Sequence, residues 1–219
     1  MFLAFLADDS NTLFRARLPG GAGYVVRIGT HGPTAHSPAE AAAEAAWLAA
    51  LASSGLAVPE PVADRRGRLV SLYAAPGVPG ERVVVVFRWL PGRPLADRLG
   101  PANAPAYGRL AAQLHAHAVG FLPPGNPPLP HYDRLFPFDQ PEVLLAAEPA
   151  PLLPVERRQV FRQAADCVEG AIASLRVREP MRLLHGDLHV WNVLEHRGRL
   201  MAIDFEDLMW GWPIQDIAT

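Results

Sequence analysis

Apolar and polar positions change their spacing along the chain, and the changes divide it into two parts. From Phe2 to Phe87 the apolar residues come mostly in runs of strand length, punctuated by Gly, Pro, Asp and Asn. Phe2–Leu6 and Leu13–Arg17 read as strands on either side of the turn Asp8-Asp9-Ser10-Asn11. Tyr24–Ile28 follows a glycine-rich stretch, Pro19–Gly23. A strand rather than a helix comes next, so the stretch reads as a hairpin turn and not as a phosphate cradle. Leu69–Ala74 and Arg82–Phe87 are two further strands, the second holding four consecutive valines, as in a strand buried on both faces. One helix interrupts this series. Ser37 is a suitable N-cap, Pro38 stands at N1, Glu40 completes a capping box, and Gly55 stops the helix after about Ser53. Its apolar stripe carries Trp47, Leu48 and Leu51. Glu44 lies on the same stripe, where a carboxylate is costly unless paired.

Beyond the turn Pro91-Gly92-Arg93-Pro94 the spacing becomes helical. Ala104–Val119 sets Leu110, Leu114 and Val119 near one face, and there His115 and His117 read as helix-surface or core residues rather than ligands. Phe121–Pro137 is proline-rich and irregular, and Asp139–Ala147 reads as a short helix. Pro154–Val177 has the strongest helical pattern, with Phe161, Ala164, Val168, Ile172 and Leu175 in step. Cys167, inside that helix, reads as a small core residue. Met181–Leu184 is extended, and Val193–Glu195 and Leu200–Ile203 form a hairpin around His196-Arg197-Gly198-Arg199.

That last hairpin is flanked by polar residues with no use in the local pattern: His185, Asp187 and Asn192 before it, Asp204, Glu206 and Asp207 after it. Asp187 and Asn192 have the D-x-x-x-x-N spacing of a kinase catalytic loop, in which the aspartate takes the hydroxyl proton and the asparagine holds magnesium. Asp204 follows a strand and precedes Phe205. The chemistry asks for these residue types. Mg²⁺ is a hard cation that prefers oxygen and keeps several waters, so one carboxylate and one amide oxygen suffice when phosphate oxygens complete the shell. A second carboxylate, held off the metal, orients the attacking hydroxyl and accepts its proton. Asp204, Asn192 and Asp187 match those tasks in that order. A competing arrangement would use His185, Asp187 and His189 as the facial triad of a non-haem iron enzyme. The second histidine of that pattern normally comes from a later strand, and no histidine follows His196.

Composition narrows the classes. The chain has 219 residues and a formal charge of −2, without a basic stripe, which argues against a nucleic-acid partner. All 20 basic residues are arginines, so neither a G-K-[ST] phosphate loop nor a lysine over the phosphates is available. The arginine, alanine, glycine and proline bias suits a bacterial source. One cysteine cannot form an internal disulfide, no stretch has membrane-span length, and Met1–Ala7 lacks the basic start of a signal peptide. A cytoplasmic protein is expected.

The stretch His185–Asp207 resembles the aminoglycoside phosphotransferase and choline kinase-like family, whose fold is that of protein kinases. The resemblance implies an α+β, two-lobed fold. Residues 1–90 would be an N-lobe with an antiparallel sheet and one helix, and residues 91–219 a mostly helical C-lobe truncated at its C-terminal end. It implies ATP, or another nucleoside triphosphate, with Mg²⁺ as cofactors and a small-molecule hydroxyl as acceptor. Ser10 and Asn11 would lie over the phosphates, although no G-x-G-x-x-G is present. Arg27 would face the α- and β-phosphates and pair with Glu44. The backbones of Arg88 and Leu90 would meet the base at the hinge. His185 would pack the catalytic loop, and Asp216 would accept hydrogen bonds from its backbone. Glu206, Asp207 and Trp191 are candidates for the acceptor side, the two acids favouring a cationic acceptor, and Trp210 and Trp212 are further candidate walls. A non-catalytic nucleotide-binding or interaction module and a protein Ser/Thr kinase are the alternatives. Because family members continue with further helices, the apolar stretch within residues 208–219 is expected either to pair with a second copy or to be covered by a longer chain.

Overall fold

The computed structural model describes residues 2–32, 35–137 and 154–219. The first part is a five-stranded antiparallel sheet built from β1 (Phe2–Asp8), β2 (Asn11–Arg17), β3 (Gly23–Gly29), β4 (Val70–Tyr73) and β5 (Arg82–Arg88), in the order β1-β2-β3-β5-β4. The register places Val25 opposite Phe87 and Arg27 opposite Val85. Helix α1 (Pro38–Ser53) begins with the expected capping box. The Glu40 amide donates to Ser37 Oγ at 3.2 Å, and the Ser37 amide to Glu40 Oε2 at 2.6 Å. Small residues on its buried side, Ala41, Ala43 and Ala45, let Trp47, Leu48 and Leu51 reach full burial. Burying Leu48 and Leu51 contributes about 1.5–3 kcal/mol each.

The valine run of β5 is buried on one face only. Val85 and Phe87 are buried, whereas Val84 and Val86 are half-covered, because among the described residues α1 provides a layer on one side of the sheet alone.

The second part holds α2 (Ala104–His117), α3 (Val155–Arg178) and α4 (Pro213–Ala218). It also holds the short strands β6 (Arg93–Pro94), β7 (Arg182–Leu184), β8 (Val193–His196), β9 (Arg199–Ala202) and β10 (Met209–Gly211). β6, β8 and β9 form one sheet and β7 with β10 another. Four expectations need correction. Helix α2 stops at His117, and Val119 lies beyond it, exposed after the Ala118 cap. On α3 the buried small residue is Ala165 rather than Ala164, and Cys167 is exposed because it lies off that side of the helix. Trp212 is buried, not part of an open patch: its Nε1 donates to the Glu179 carbonyl at 2.9 Å, while Ile214 and Ile217 remain exposed. Finally, β1 runs on to Asp8 and β2 starts at Asn11, which leaves a tighter turn than expected. The expected helix Asp139–Ala147 lies outside the described residues. No helix among the described residues is long and apolar enough to cross a membrane.

The core is continuous between the two parts. Phe205, fully buried, lies edge-on to Trp47 of α1 with centroids 5.5 Å apart and packs on the His185 ring at 4.4 Å. This stack joins α1 to both polar segments flanking the β8–β9 hairpin.

Candidate active site

A cleft of about 290 Å³ opens between the sheet and the β8–β9 hairpin. Its walls include Leu13, Val25, Leu48 and Phe87 above, Leu194 and Ile203 below, and Arg27, Glu44 and Asp204 at its polar end. That volume is close to the lower bound for small-molecule sites, and the mix of apolar walls with a few convergent polar groups suits a planar base with a charged tail.

Arg27 projects from β3 and Glu44 from α1. Arg27 Nη1 donates to Glu44 Oε1 at 2.8 Å and Nη2 to Oε2, so the pair is bidentate, with side-chain exposures of 10% and 3%. Burial pulls the guanidinium pKa down, but the carboxylates of Glu44, Glu206 and Asp204 more than offset it, and the net shift is upward. Arg27 is charged throughout, and Glu44 fixes the direction in which it points.

The segment after β7 lies beside this lower wall, the Ile203 amide donating to the Asn192 carbonyl at 2.9 Å. Asn192 Nδ2 donates to the Asp187 carbonyl at 3.0 Å and to Asp187 Oδ2 at 2.9 Å. With both amide hydrogens committed to Asp187, Asn192 Oδ1 is the end of the side chain left for a cation. His189 Nε2 lies 3.3 Å from Asp187 Oδ2, which further fixes the carboxylate. Asp204, with φ +64°, sits in the left-handed region straight after β9. Such a conformation is strained for a residue with a Cβ and persists when its surroundings demand it. Although solvent reaches Asp204 in the cleft, the enclosing walls push its carboxyl up to about 7, Glu206, Glu44 and Asp207 adding to the rise and Arg27 opposing it.

Buried Asp216 holds this segment from beneath. Asp216 Oδ2 accepts from the His185 amide at 3.2 Å and Asp216 Oδ1 from the Gly186 amide at 2.9 Å. His115 of α2, buried, lies 2.9 Å from the same Asp216 Oδ2. Helical spacing places His115 on the helix surface or in the core, and the structure puts it in the core with Asp216 as its partner. An aspartate carrying backbone hydrogen bonds in a dry core needs a further donor, and that need was the available signal. Tyr107 of α2 donates to the Leu188 carbonyl and supports the loop from the same helix. Gly186, at φ +89°, passes so close to the Asp207 carbonyl that a Cβ would stand 1.9 Å from it, so the two polar segments meet through a position only glycine can hold.

The remaining expected residues fall as follows. Ser10 and Asn11, at the β1–β2 turn, both donate to Glu206. Asp207 has its carboxyl pushed upward first by burial and then by Glu206, with His36 opposing and Asp187 adding to the rise. Trp191 is on the outside, 60% exposed. At the hinge the Arg88 amide donates to the Glu60 carbonyl at 2.8 Å and the Trp89 amide to the Gly23 carbonyl at 3.0 Å. Arg88 therefore has no free N–H for a base edge. The iron-site alternative does not survive the geometry. His185 Nε2 is bonded to the Ile203 carbonyl and Nδ1 accepts from the Asp187 amide, so both ring nitrogens are occupied in the core, and burial lowers the pKa of the ring.

The chain has relatives of matching layout. A protein of Deinococcus radiodurans described as uncharacterized is 32% identical over 185 residues, covering 84% of this chain and 51% of that protein. The amicoumacin kinase of Bacillus subtilis is 25% identical over 218 residues, covering 98% of this chain and 60% of the enzyme. The chain thus spans about half to three-fifths of the length of these curated relatives. Among solved structures, amicoumacin kinase hAmiN in complex with AMP-PNP, Ca²⁺ and Ami superposes with TM-score 0.72 at 25% identity, over 99% of this chain and 62% of that one. A microcompartment-associated aminopropanol kinase gives 0.73 at 25% identity, over all of this chain and 68% of its own. Both share the two-part α+β kinase-like fold. The model of the family APH, the phosphotransferase enzyme family, matches residues 3–219, and the chain belongs to that family.

Proposed function

We propose that the chain carries the nucleotide site, the metal site and the general base of a kinase. The kinase would move the γ-phosphate of ATP to a hydroxyl of a small, amine-bearing acceptor with the help of Mg²⁺. The observation that carries this reading is the Asp187–Asn192 pairing. The Asn192 carbonyl also accepts from the Ile203 amide at 2.9 Å, so the pair lies beside the segment that carries Asp204 into the cleft lined by Arg27 and Glu44.

Each residue has a task. Arg27, held bidentately by Glu44, offers a fixed positive edge to phosphate oxygens. Asp187, with one oxygen fixed by Asn192, accepts the proton of the acceptor hydroxyl as its oxygen attacks phosphorus. Asp216, backed by His115, holds the His185 and Gly186 backbone that leads into Asp187. The donors fit a hard dication. Asp204 supplies a carboxylate that burial first, and then the neighbouring acids, have made reluctant to ionise alone, and Asn192 supplies Oδ1. When bound there, Mg²⁺ would neutralise charge on the transferring phosphoryl group. With Asp204 and Asn192 on the metal, Asp187 and Asp207 remain as neighbouring acidic groups, which favours an acceptor bearing an ammonium. The similarity to an aminopropanol kinase supports the same class.

The test is thermal shift and phosphotransfer together. ATP with Mg²⁺ at ten times its dissociation constant should stabilise the protein by about 1.4 kcal/mol, and ATP should be consumed faster when aminopropanol is added. A folded protein that millimolar ATP and Mg²⁺ fail to stabilise refutes the reading.

A further inference from the structure

Ser10, Asn11 and Arg27 are the groups read above as meeting nucleotide phosphate, and all three face one carboxylate of the protein itself. Ser10 Oγ donates to Glu206 Oε1 at 2.7 Å, Asn11 Nδ2 donates to Glu206 Oε2, and Arg27 Nη1 stands 3.7 Å from that Oε2. Glu206 comes from the loop after β9, nearly 200 residues along the chain from Ser10, and its side chain is 9% exposed. Contacts of this span are not a local turn motif. They tie the β1–β2 turn across the cleft mouth to the segment that bears Asp204.

A carboxylate and a phosphate satisfy the same donors, since each presents anionic oxygens that accept from hydroxyl, amide and guanidinium groups. Arg27 makes its close contacts to Glu44, and its 3.7 Å approach to Glu206 is the looser of the two. Glu44 is therefore the fixed partner and Glu206 the exchangeable one. An arriving triphosphate would offer the same donors more anionic oxygens and push the carboxylate away.

We propose that Glu206 is a latch. Its carboxylate holds the phosphate-facing donors of the free protein, draws the β1–β2 turn down over the cleft, and is displaced when nucleotide binds. This rests on the nucleotide-binding reading above and adds to it a determinant of affinity. The latch lowers apparent affinity by the fraction of molecules that are open, so removing it should raise affinity.

The experiment measures ATP dissociation constants for the wild type and Glu206→Ala by calorimetric titration, once with Mg²⁺ and once with EDTA. The latch predicts a fall of about tenfold in Glu206→Ala in both buffers, corresponding to an open fraction near one in ten. It also predicts faster amide exchange across residues 8–12 in the free variant, with ATP slowing exchange there. Glu206→Gln, which keeps two hydrogen-bonding positions but no charge, should fall between, and it provides the comparison if the alanine variant does not fold. An unchanged or weaker dissociation constant in a folded variant overturns the latch. So does a loss confined to the Mg²⁺ arm, which would make Glu206 a metal-binding group instead. If the wild type itself binds no ATP in either buffer, the nucleotide reading has failed first.

Discussion

The Arg27–Glu44 pair separates stability from function, and its substitution can be worked through quantitatively. Both side chains are nearly dry, at 10% and 3% exposure, and joined by two hydrogen bonds. Breaking a buried ion pair from one side costs about 3–5 kcal/mol, because a charge is left uncompensated. The two sides are not equivalent here. Glu44→Leu strands an arginine, but Glu206 lies 3.7 Å from it and can take up part of the charge, which places the loss near 3 kcal/mol. Arg27→Met strands a glutamate with no second cation in contact among the described residues. A glutamate stranded without any cation sits toward the upper part of that range, so the loss is near 4 kcal/mol. Replacing both, as Arg27→Met with Glu44→Leu, removes both buried charges and should return stability to within about 1 kcal/mol of wild type or above it. Urea unfolding of the four proteins gives the cycle, and a coupling energy of several kcal/mol is expected. ATP stabilisation should be lost in all three variants, including the stable double one. A double variant as unstable as the sum of the singles, or one that still binds ATP as the wild type does, would refute the assignment.

Asp204 and Gly186 give two further expectations. The Asp204 carboxyl is raised from its ordinary 3.8 to about 7, so the folded state favours its protonated form. Stability of the metal-free protein should therefore fall as pH rises through the window from about 4 to 7. Asp204→Asn, which also tolerates the left-handed backbone, should raise the metal-free Tm at pH 8 but not at pH 4. After discounting for solvent screening the gain is about 1–2 kcal/mol, and calorimetry across pH measures it. The same variant should show no Mg²⁺-dependent gain on adding ATP. Gly186→Ala brings a Cβ to 1.9 Å from the Asp207 carbonyl at φ +89°. Pushing the two polar segments apart should cost at least about 2 kcal/mol in urea unfolding and abolish ATP turnover, and a variant with wild-type turnover would mean the segments need not meet there.

Much of the segment after β7 was legible because the chemistry fixes both residue type and spacing. Asp187 and Asn192 are five apart on one loop, and the structure joins them by a direct hydrogen bond. The Arg27–Glu44 contact was legible for another reason: a glutamate on the apolar stripe of α1 demanded a cation, and the strand before it offered one. Contacts between distant segments were not legible. Nothing local to Glu206 signals Ser10 and Asn11, and the Arg88 amide is taken by Glu60 through a loop path that side-chain pattern does not encode. Helix α3 misled the reading of Cys167. Periodicity marks an apolar side of a helix but cannot say how much of it a neighbour covers, and Phe161 and Val168 on that side are both more than 40% exposed.

The central claim is that Asp187 handles the proton while Asp204 and Asn192 hold the metal. The measurement that tests it most directly compares the wild type and Asp187→Asn for ATP binding with Mg²⁺ and for consumption of ATP in the presence of an amino alcohol. The amide replacement keeps the size of the side chain and removes the base. The dissociation constant should stay within about twofold while turnover falls by on the order of 10²–10⁴. Turnover equal to that of the wild type, or a loss of binding as large as the loss of turnover, would contradict the assignment.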